Sequence, residues 1–390
     1  MSSKQKIKIA YFAGTMKPGQ DGVTRVLYKM IEYLNEHRVS NIFFSPIIPA
    51  ESEQPTKMFE VPSFTLPLYK EYKFAVPGIK YFEEKLKEFE PDILHINSPC
   101  SLGYAAVKYG QKNNIPVVAT YHTHFPSYAK YYKIKALEQL GWNYLRSLYN
   151  KCDAVYVPSM PIMKELEMQG LDTIEFLPHG VDSGTFNPSF RSDTWRETTA
   201  PGDKKIILFA GRLVWEKDLK ILAEAYKIIM SQRNDAVFVL AGDGPVRQEL
   251  QTMMPEAIFL GYQSGKDLST AYASSDIFAF PSTTETFGNV TVEAMASGIP
   301  PVCARAGGAY GIINDGTTGL IADPHNAESF AAKINFLLDN ETCRKKMGEN
   351  ALNFSSSQSW DNIISRLMDN YQKVIEDYRK ALKYKLIKAA

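Results

Sequence analysis

The sequence predicts an α/β protein made of two doubly wound domains. Short apolar, β-rich runs alternate with amphipathic helical stretches almost from end to end, which implies parallel sheets with helices on both faces. The alternation breaks once, near the middle of the chain. The length of 390 residues also suits two domains at roughly 100–200 residues each.

The first-half strand candidates are Lys6–Phe12, Asn41–Ile48, Phe64–Leu68, Asp92–Ser98, Pro116–His122, Ala154–Ser159 and Ile174–Gly180. The helix after the first strand is marked by Val23, Val26, Leu27, Met30, Ile31 and Leu34, one apolar face at helical spacing. Residues 183–203 carry Gly184, Pro188, Pro201 and Gly202 with mixed charge and no periodicity. They separate a domain over 1–188 from a second over 204–358, with 189–203 as linker. The second series runs through Lys205–Arg212, Ala236–Gly242, Ala257–Tyr262, Ile277–Ser282, Pro300–Ala306 and Gly319–Asp323. A helical tail over 359–390 is long enough to cross back to the first domain. Ligand sites of such folds lie at the carboxyl ends of the strands, so the cleft between the domains is the expected location.

Composition narrows the function classes. Lys and Arg number 44 against 43 Asp and Glu, so no global field draws the chain to nucleic acid. No apolar stretch approaches the ~20 residues needed to span a bilayer, and the first apolar run is too short for a signal-peptide core. The four cysteines are scattered without a C-x-x-C pair, which indicates neither a disulfide framework nor a zinc knuckle. The expected compartment is the cytoplasm, with peripheral contact at the inner face of a membrane. That contact is drawn from residues 127–151, where Lys130, Lys133, Lys135, Arg146 and Lys151 face a single acid, Glu138, among Tyr128, Tyr131, Tyr132, Trp142, Tyr144 and Tyr149. The basic tail Tyr378–Ala390 would reinforce it. Core aromatics with a solvated basic face fit the same residues.

Three clusters could carry chemistry. In Pro281–Met295 a buried strand enters a polar loop holding Glu285, and a helix then opens near Gly288 and contains Glu293. A helix start offers unpaired amides and positive potential, which suits a phosphate. Carboxylates beside it could accept hydrogen bonds from sugar hydroxyls. An acidic cap at Glu285 with a solvated Glu293 fits the spacing equally. The second cluster follows the first strand of the second half: Gly211 permits a turn, and Arg212 and Lys217 could neutralise a diphosphate or stand as isolated surface cations. The third, Tyr121-His122-Thr123-His124, ends a first-half strand. A His there could act as base or hydrogen-bond partner, or be structural. His179, before a glycine turn, is a further candidate at a strand end. The loop Gly14–Gly22 is neither G-x-G-x-x-G nor Walker A, and no Asp-x-Asp pair exists to carry a diphosphate-bound cation.

Together these residues resemble glycosyltransferase family 4, retaining enzymes of the GT-B fold, over nearly the whole chain. The most specific element is the Glu285-x7-Glu293 pattern enclosing Phe287-Gly288, preceded by Gly211-Arg212 and Lys217. The first half, with His95-Ile-Asn-Ser-Pro99, Tyr121–Pro126 and Pro178–Asp182, is similar to the group of GDP-mannose-dependent α-mannosyltransferases and sulfoquinovosyl- and glucosyl-diacylglycerol synthases. The resemblance implies two Rossmann-like domains facing across a cleft, with the C-terminal helix crossing back. It implies transfer of a hexose from a UDP-sugar or GDP-mannose to an acceptor hydroxyl, of a membrane lipid or glycolipid, with an α-glycosidic product. Arg212 and Lys217 would hold the diphosphate, Glu293 the ribose, and Glu285 would sit beside the sugar. Gly211 would belong to the same donor-binding turn. Amides near Phe287, Gly288 and Asn289 would touch sugar hydroxyls, and those near Val290 and Thr291 the phosphate. His122 would touch the donor sugar, Gly22 would lie near the phosphates, and His124 and His179 are acceptor-side candidates. Neither a metal nor another cofactor is expected. The alternatives are a sugar-nucleotide epimerase, a transferase acting on a soluble glycan or small polyol, and a non-catalytic nucleotide-sugar sensor.

Overall fold

A computed structural model describes residues 7–19, 22–66, 69–76, 79–124 and 135–389. The chain divides into two compact units. Unit one comprises Met1–Pro158, Met163–Leu177 and Trp360–Ala390; unit two comprises Ser159–Ile162 and Pro178–Ser359.

Unit one is built on a seven-stranded sheet of order β3-β2-β1-β6-β7-β8-β9. Its strands are β1 Lys8–Phe12, β2 Ser40–Ser45, β3 Lys57–Glu60, β6 Ile93–Ile96, β7 Val117–Thr120, β8 Ala154–Val157 and β9 Ile174–Phe176, and every pairing is parallel. The central strands are buried on both faces, which is why they read as continuous apolar runs. The helix Gly22–Glu36 buries Val26, Leu27, Met30, Ile31 and Leu34, the face read from the sequence.

Unit two has a six-stranded parallel sheet of order β12-β11-β10-β13-β14-β15. Its strands are β10 Lys205–Ala210, β11 Ala236–Ala241, β12 Ile258–Gly261, β13 Ile277–Phe280, β14 Pro301–Ala304 and β15 Leu320–Ala322. In both sheets the chain starts at an inner strand, works outward to one edge, then returns to build the other side. The reversal falls between β1 and β6 in unit one and between β10 and β13 in unit two. Connections on the two sides of such a switch point diverge and leave a crevice beyond the strand ends.

Two expectations need correction. The strand expected at Phe64–Leu68 is not part of the parallel series: β4 (Ser63–Leu66) pairs antiparallel with β5 (Tyr69–Ala75) as a separate ribbon. An alternating edge run does not announce its partner. Residues 189–203 do not form a bare linker. They hold a 3-10 turn, Pro188–Phe190, and a helix, Asp193–Thr199, and Arg196 reaches Asp276 at 2.9 Å and the Ser274 carbonyl at 2.6 Å within unit two. The boundary consequently falls at 177/178 rather than 188/189. Within the basic aromatic segment, Trp142 and Tyr149 are core residues, 3% and 1% exposed, as the core-aromatic reading has it, whereas Leu140 and Tyr144 are exposed. Tyr128, Lys130, Tyr131, Tyr132 and Lys133 lie outside the described residues.

The final helix, Trp360–Ala389, belongs to unit one and packs against the helix Gly22–Glu36. Its Tyr371 is fully buried and its hydroxyl meets Nδ1 of His95, while Nε2 of His95 lies 2.8 Å from Oγ1 of Thr120. Arg379 pairs with Asp92 at 2.8 Å. Among the described residues, no helix is long and apolar enough to cross a membrane.

Candidate active site

In unit two the carboxyl ends of β10 and β13 bring together the residues with the strongest chemistry. Beyond β10 come Gly211 and the exposed Arg212, then a 3-10 turn, Trp215–Lys217. Beyond β13 comes the loop 281–288, followed by the helix Asn289–Ala296. Lys217 Nζ pairs with Glu285 Oε1 across these two connections, with both side chains about four-fifths buried. A cation and a carboxylate so enclosed interact more strongly than at an open surface.

The helix that follows opens without a side-chain cap: its N-cap is Gly288, at φ 91° and ψ 64°. Glycine adopts this left-handed conformation without strain. A Cβ there would also approach Ala309 Cβ to 2.9 Å. Glu285 is therefore not the cap, so one plainer reading of the sequence fails. The other fails as well: Glu293 is not solvated but 4% exposed, and it accepts a hydrogen bond from the Tyr272 hydroxyl at 3.2 Å. Phe287 is buried, and Thr291 is fully buried.

The loop carrying Glu285 is fixed by its neighbours. Gly308 N–H donates to the Glu285 carbonyl at 2.6 Å, and a Cβ on Gly308 would fall 1.9 Å from the Thr286 carbonyl oxygen. Ser159 Oγ donates to that same Thr286 carbonyl at 2.7 Å. The pair Gly307-Gly308 thus serves as the surface against which the Glu285 loop lies.

His179, expected on the acceptor side, belongs to unit two and sits with this loop. Its Nδ1–H donates to Asn289 Oδ1 at 2.9 Å, and its ring lies 4.9 Å from that of Phe287. Burial lowers its pKa to about 4, so it is neutral at pH 7. It positions the helix start and carries no charge to it.

Unit one holds the other histidines singled out by the sequence. His122, just beyond β7, donates from Nε2 to Asn97 Oδ1 at 3.1 Å; Asn97 lies just beyond β6, at the switch point. An amide oxygen only accepts, so this contact fixes the proton on Nε2. His124 is 4% exposed, with Nδ1 2.6 Å from the Tyr121 hydroxyl and Nε2 3.3 Å from Glu165. Gly22 is the first residue of the helix Gly22–Glu36, and Gln20 and Asp21 before it lie outside the described residues.

Comparison with known proteins turns this geometry into a family. Residues 20–184 match Glycosyltransferase Family 4 and residues 191–354 match Glycosyl transferases group 1. A GDP-mannose-dependent alpha-mannosyltransferase of Corynebacterium glutamicum is 32% identical over 95% of this chain and 89% of its own length. The chain belongs to glycosyltransferase family 4. It is also 34% identical to the sulfoquinovosyl transferase SQD2 of Arabidopsis thaliana, over 82% of this chain and 64% of the relative. The alpha-monoglucosyldiacylglycerol synthase of Streptococcus pneumoniae is 25% identical over 76% and 70%. Two solved structures share the fold: a sucrose-phosphate synthase from Thermosynechococcus elongatus, with TM-score 0.79, 20% identity and coverage of 95% and 100%, and Anabaena Alr3699/HepE in complex with UDP, at 0.77, 18%, 94% and 100%. The fold is GT-B, and the protein is a glycosyltransferase that uses a nucleotide sugar.

Sequence reasoning missed several residues that shape this family 4 site. Tyr272 meets Glu293 from the helix Gly265–Ala273, and Asn97 meets His122 from another strand end. Asp218 and Thr283 join the two connections around Lys217. Each acts through a contact distant in sequence, and none carries a motif. Asp218 alone left a trace, as a carboxylate directly beside Lys217.

Proposed function

We propose that this glycosyltransferase transfers a hexose with retention, without a divalent ion, from a nucleoside diphosphate sugar to a lipid or glycolipid hydroxyl. The observation that carries the reading is the Lys217–Glu285 pair beside the glycine-capped start of the helix Asn289–Ala296, at the switch point of the unit two sheet. A leaving diphosphate gains negative charge as its bond to the sugar breaks. Fixed positive groups directed at that charge lower the barrier without reorganising. Lys217, Arg212 and the amide of Val290 are such groups, the Thr291 N–H being already bonded to the Gly288 carbonyl at 2.9 Å. Glu293, buried and held by Tyr272, is suited to accept from ribose hydroxyls.

Of the donors, GDP-mannose is favoured by the mannosyltransferases of Corynebacterium glutamicum and Mycolicibacterium smegmatis, the latter 29% identical over 98% of its length. In the proposed step the acceptor oxygen bonds to the anomeric carbon on the face the diphosphate leaves. The carbon–oxygen bond to the β-phosphate breaks, and a phosphate oxygen takes the acceptor proton. The α configuration of the donor is thereby kept. Glu285 holds Lys217 and the sugar rather than forming a covalent adduct.

The test is incubation of the protein with labelled GDP-mannose, UDP-glucose and a lipid extract, with and without EDTA. Labelled glycolipid of α configuration, formed equally with EDTA present, is expected. Isomerised sugar nucleotide with no transfer product would instead establish the epimerase reading, and a strict Mg²⁺ requirement would refute the metal-free step. Lys217→Ala should reduce turnover by about 10²–10³-fold, the usual effect of removing one group that stabilises transition-state charge.

The lipid acceptor carries a further expectation, peripheral contact with an anionic membrane. On the final helix Tyr384 and Ile387 are exposed beside Lys383, Lys385 and Lys388, and Leu140 and Tyr144 are exposed on the helix Lys135–Tyr149. Basic and aromatic side chains favour anionic headgroups. Co-sedimentation with phosphatidylglycerol vesicles, lost on neutral phosphatidylcholine vesicles, is the expected result.

A further inference from the structure

We propose that Asp218 is a positioning residue that holds Lys217 and Glu285 in register, an inference that rests on the donor-site reading above. Asp218 follows Lys217 directly and is left-handed, at φ 54° and ψ 36°. Glycine adopts that conformation freely, and residues with a Cβ seldom do. The side chain is 5% exposed. Its Oδ2 accepts from the Thr283 backbone N–H at 2.9 Å and from the Thr283 hydroxyl at 2.7 Å. Its Oδ1 lies 3.3 Å from Nδ1 of His325, which is itself left-handed at φ 55° in the connection from β15 to the helix Ala327–Asp339. On the other side of Lys217, the Glu216 carbonyl accepts from the Thr284 hydroxyl at 2.9 Å.

The residues before and after Lys217 therefore grip two consecutive residues just ahead of Glu285. A lysine at the end of a 3-10 turn and a glutamate in a loop would otherwise depend on two independent backbones for their alignment. If the position served backbone shape alone, glycine would fill it without strain. A buried carboxylate there instead satisfies two donors of the opposite loop, and hydrogen bonds to an ionised acceptor are the stronger kind. Its His325 contact ties in a third connection. Alignment of this sort matters because a displacement of about 1 Å in a catalytic group costs on the order of 10²-fold in rate.

The experiment compares full-length wild type, K217A, D218G and D218N by steady-state release of nucleoside diphosphate, using whichever of GDP-mannose and UDP-glucose the wild-type protein consumes. D218G keeps the left-handed backbone and deletes the grip. Its kcat should fall about 10- to 100-fold, with a smaller change in KM. D218N keeps both the conformation and an oxygen acceptor, and should recover kcat to within about threefold of wild type. Wild-type kcat in D218G, or a D218N as slow as D218G, overturns the positioning role while a slow K217A leaves the donor site standing. Wild-type turnover in K217A, or a wild-type protein that consumes neither donor, overturns the donor-site reading itself. If D218G does not fold, T283V replaces it, since it removes one of the two donors and leaves Asp218 in place. A several-fold loss of kcat in T283V supports the role, and none overturns it.

Discussion

At the scale of single residues, two histidines illustrate how burial sets chemistry. His95, fully buried between Tyr11, Thr120 and Tyr371, has its pKa pushed from 6.5 down to about 3, and His179 is lowered to about 4. The cause in each case is the cost of placing a charge in an apolar interior. Both are therefore neutral in the folded protein at pH 7. Once unfolded, they take up protons near pH 6.5. Between that value and the folded pKa the unfolded chain binds more protons, so stability must fall as pH drops, on the order of 1 kcal/mol per pH unit and per histidine. Urea unfolding at pH 7 and pH 5 checks this. The midpoint should be lower at pH 5, and the dependence should be shallower in a His95→Gln variant. Equal slopes in the two proteins would show that His95 does not titrate in this way. Neither histidine could be recognised as buried and neutral from the sequence, because their partners Thr120, Tyr371 and Asn289 lie 25 to 276 positions away.

At the scale of elements, the loop 281–288 derives its shape from what it rests on. Gly307 and Gly308 lie against the carbonyl groups of Thr283, Glu285 and Thr286, too close for any side chain. Gly308→Ala would force the Glu285 loop away from its seat. Such overpacking costs about 1–3 kcal/mol, and it should also lower donor turnover at least tenfold, because Glu285 would move relative to Lys217. Thermal unfolding and steady-state rates measured on one preparation check both effects; an unchanged rate would mean that the glycine pair does not hold the site. The parallel strands and the helix Gly22–Glu36 were legible because apolar runs and helical periodicity are local signals. The ribbon β4–β5 and the folded stretch 189–203 were not. Their structure depends on a neighbouring strand and on the Arg196–Asp276 pair, which local pattern does not encode. The proposed donor-site cluster was legible from the family pattern rather than from spacing alone: Gly211, Arg212 and Lys217 follow β10, and Glu285, Gly288 and Glu293 follow β13 in the loop and helix beyond it.

At the scale of the whole molecule, one architecture is used twice. Both sheets reverse direction of growth once, and in each unit the residues singled out by chemistry collect beyond that reversal: Asn97 and His122 in unit one, Lys217 and Glu285 in unit two. The family 4 relationship and the GT-B fold place glycosyl transfer from a nucleotide sugar on this frame. In the proposed complex the diphosphate of the donor is gripped by Lys217 and the helix start at Gly288, which has no side-chain cap. The crystal structure of a complex with GDP or UDP tests it most directly. Phosphate oxygens are expected within hydrogen-bonding distance of Lys217 Nζ and of the backbone N–H of Val290; a nucleotide bound in unit two away from both, or held by unit one alone, would overturn this grip.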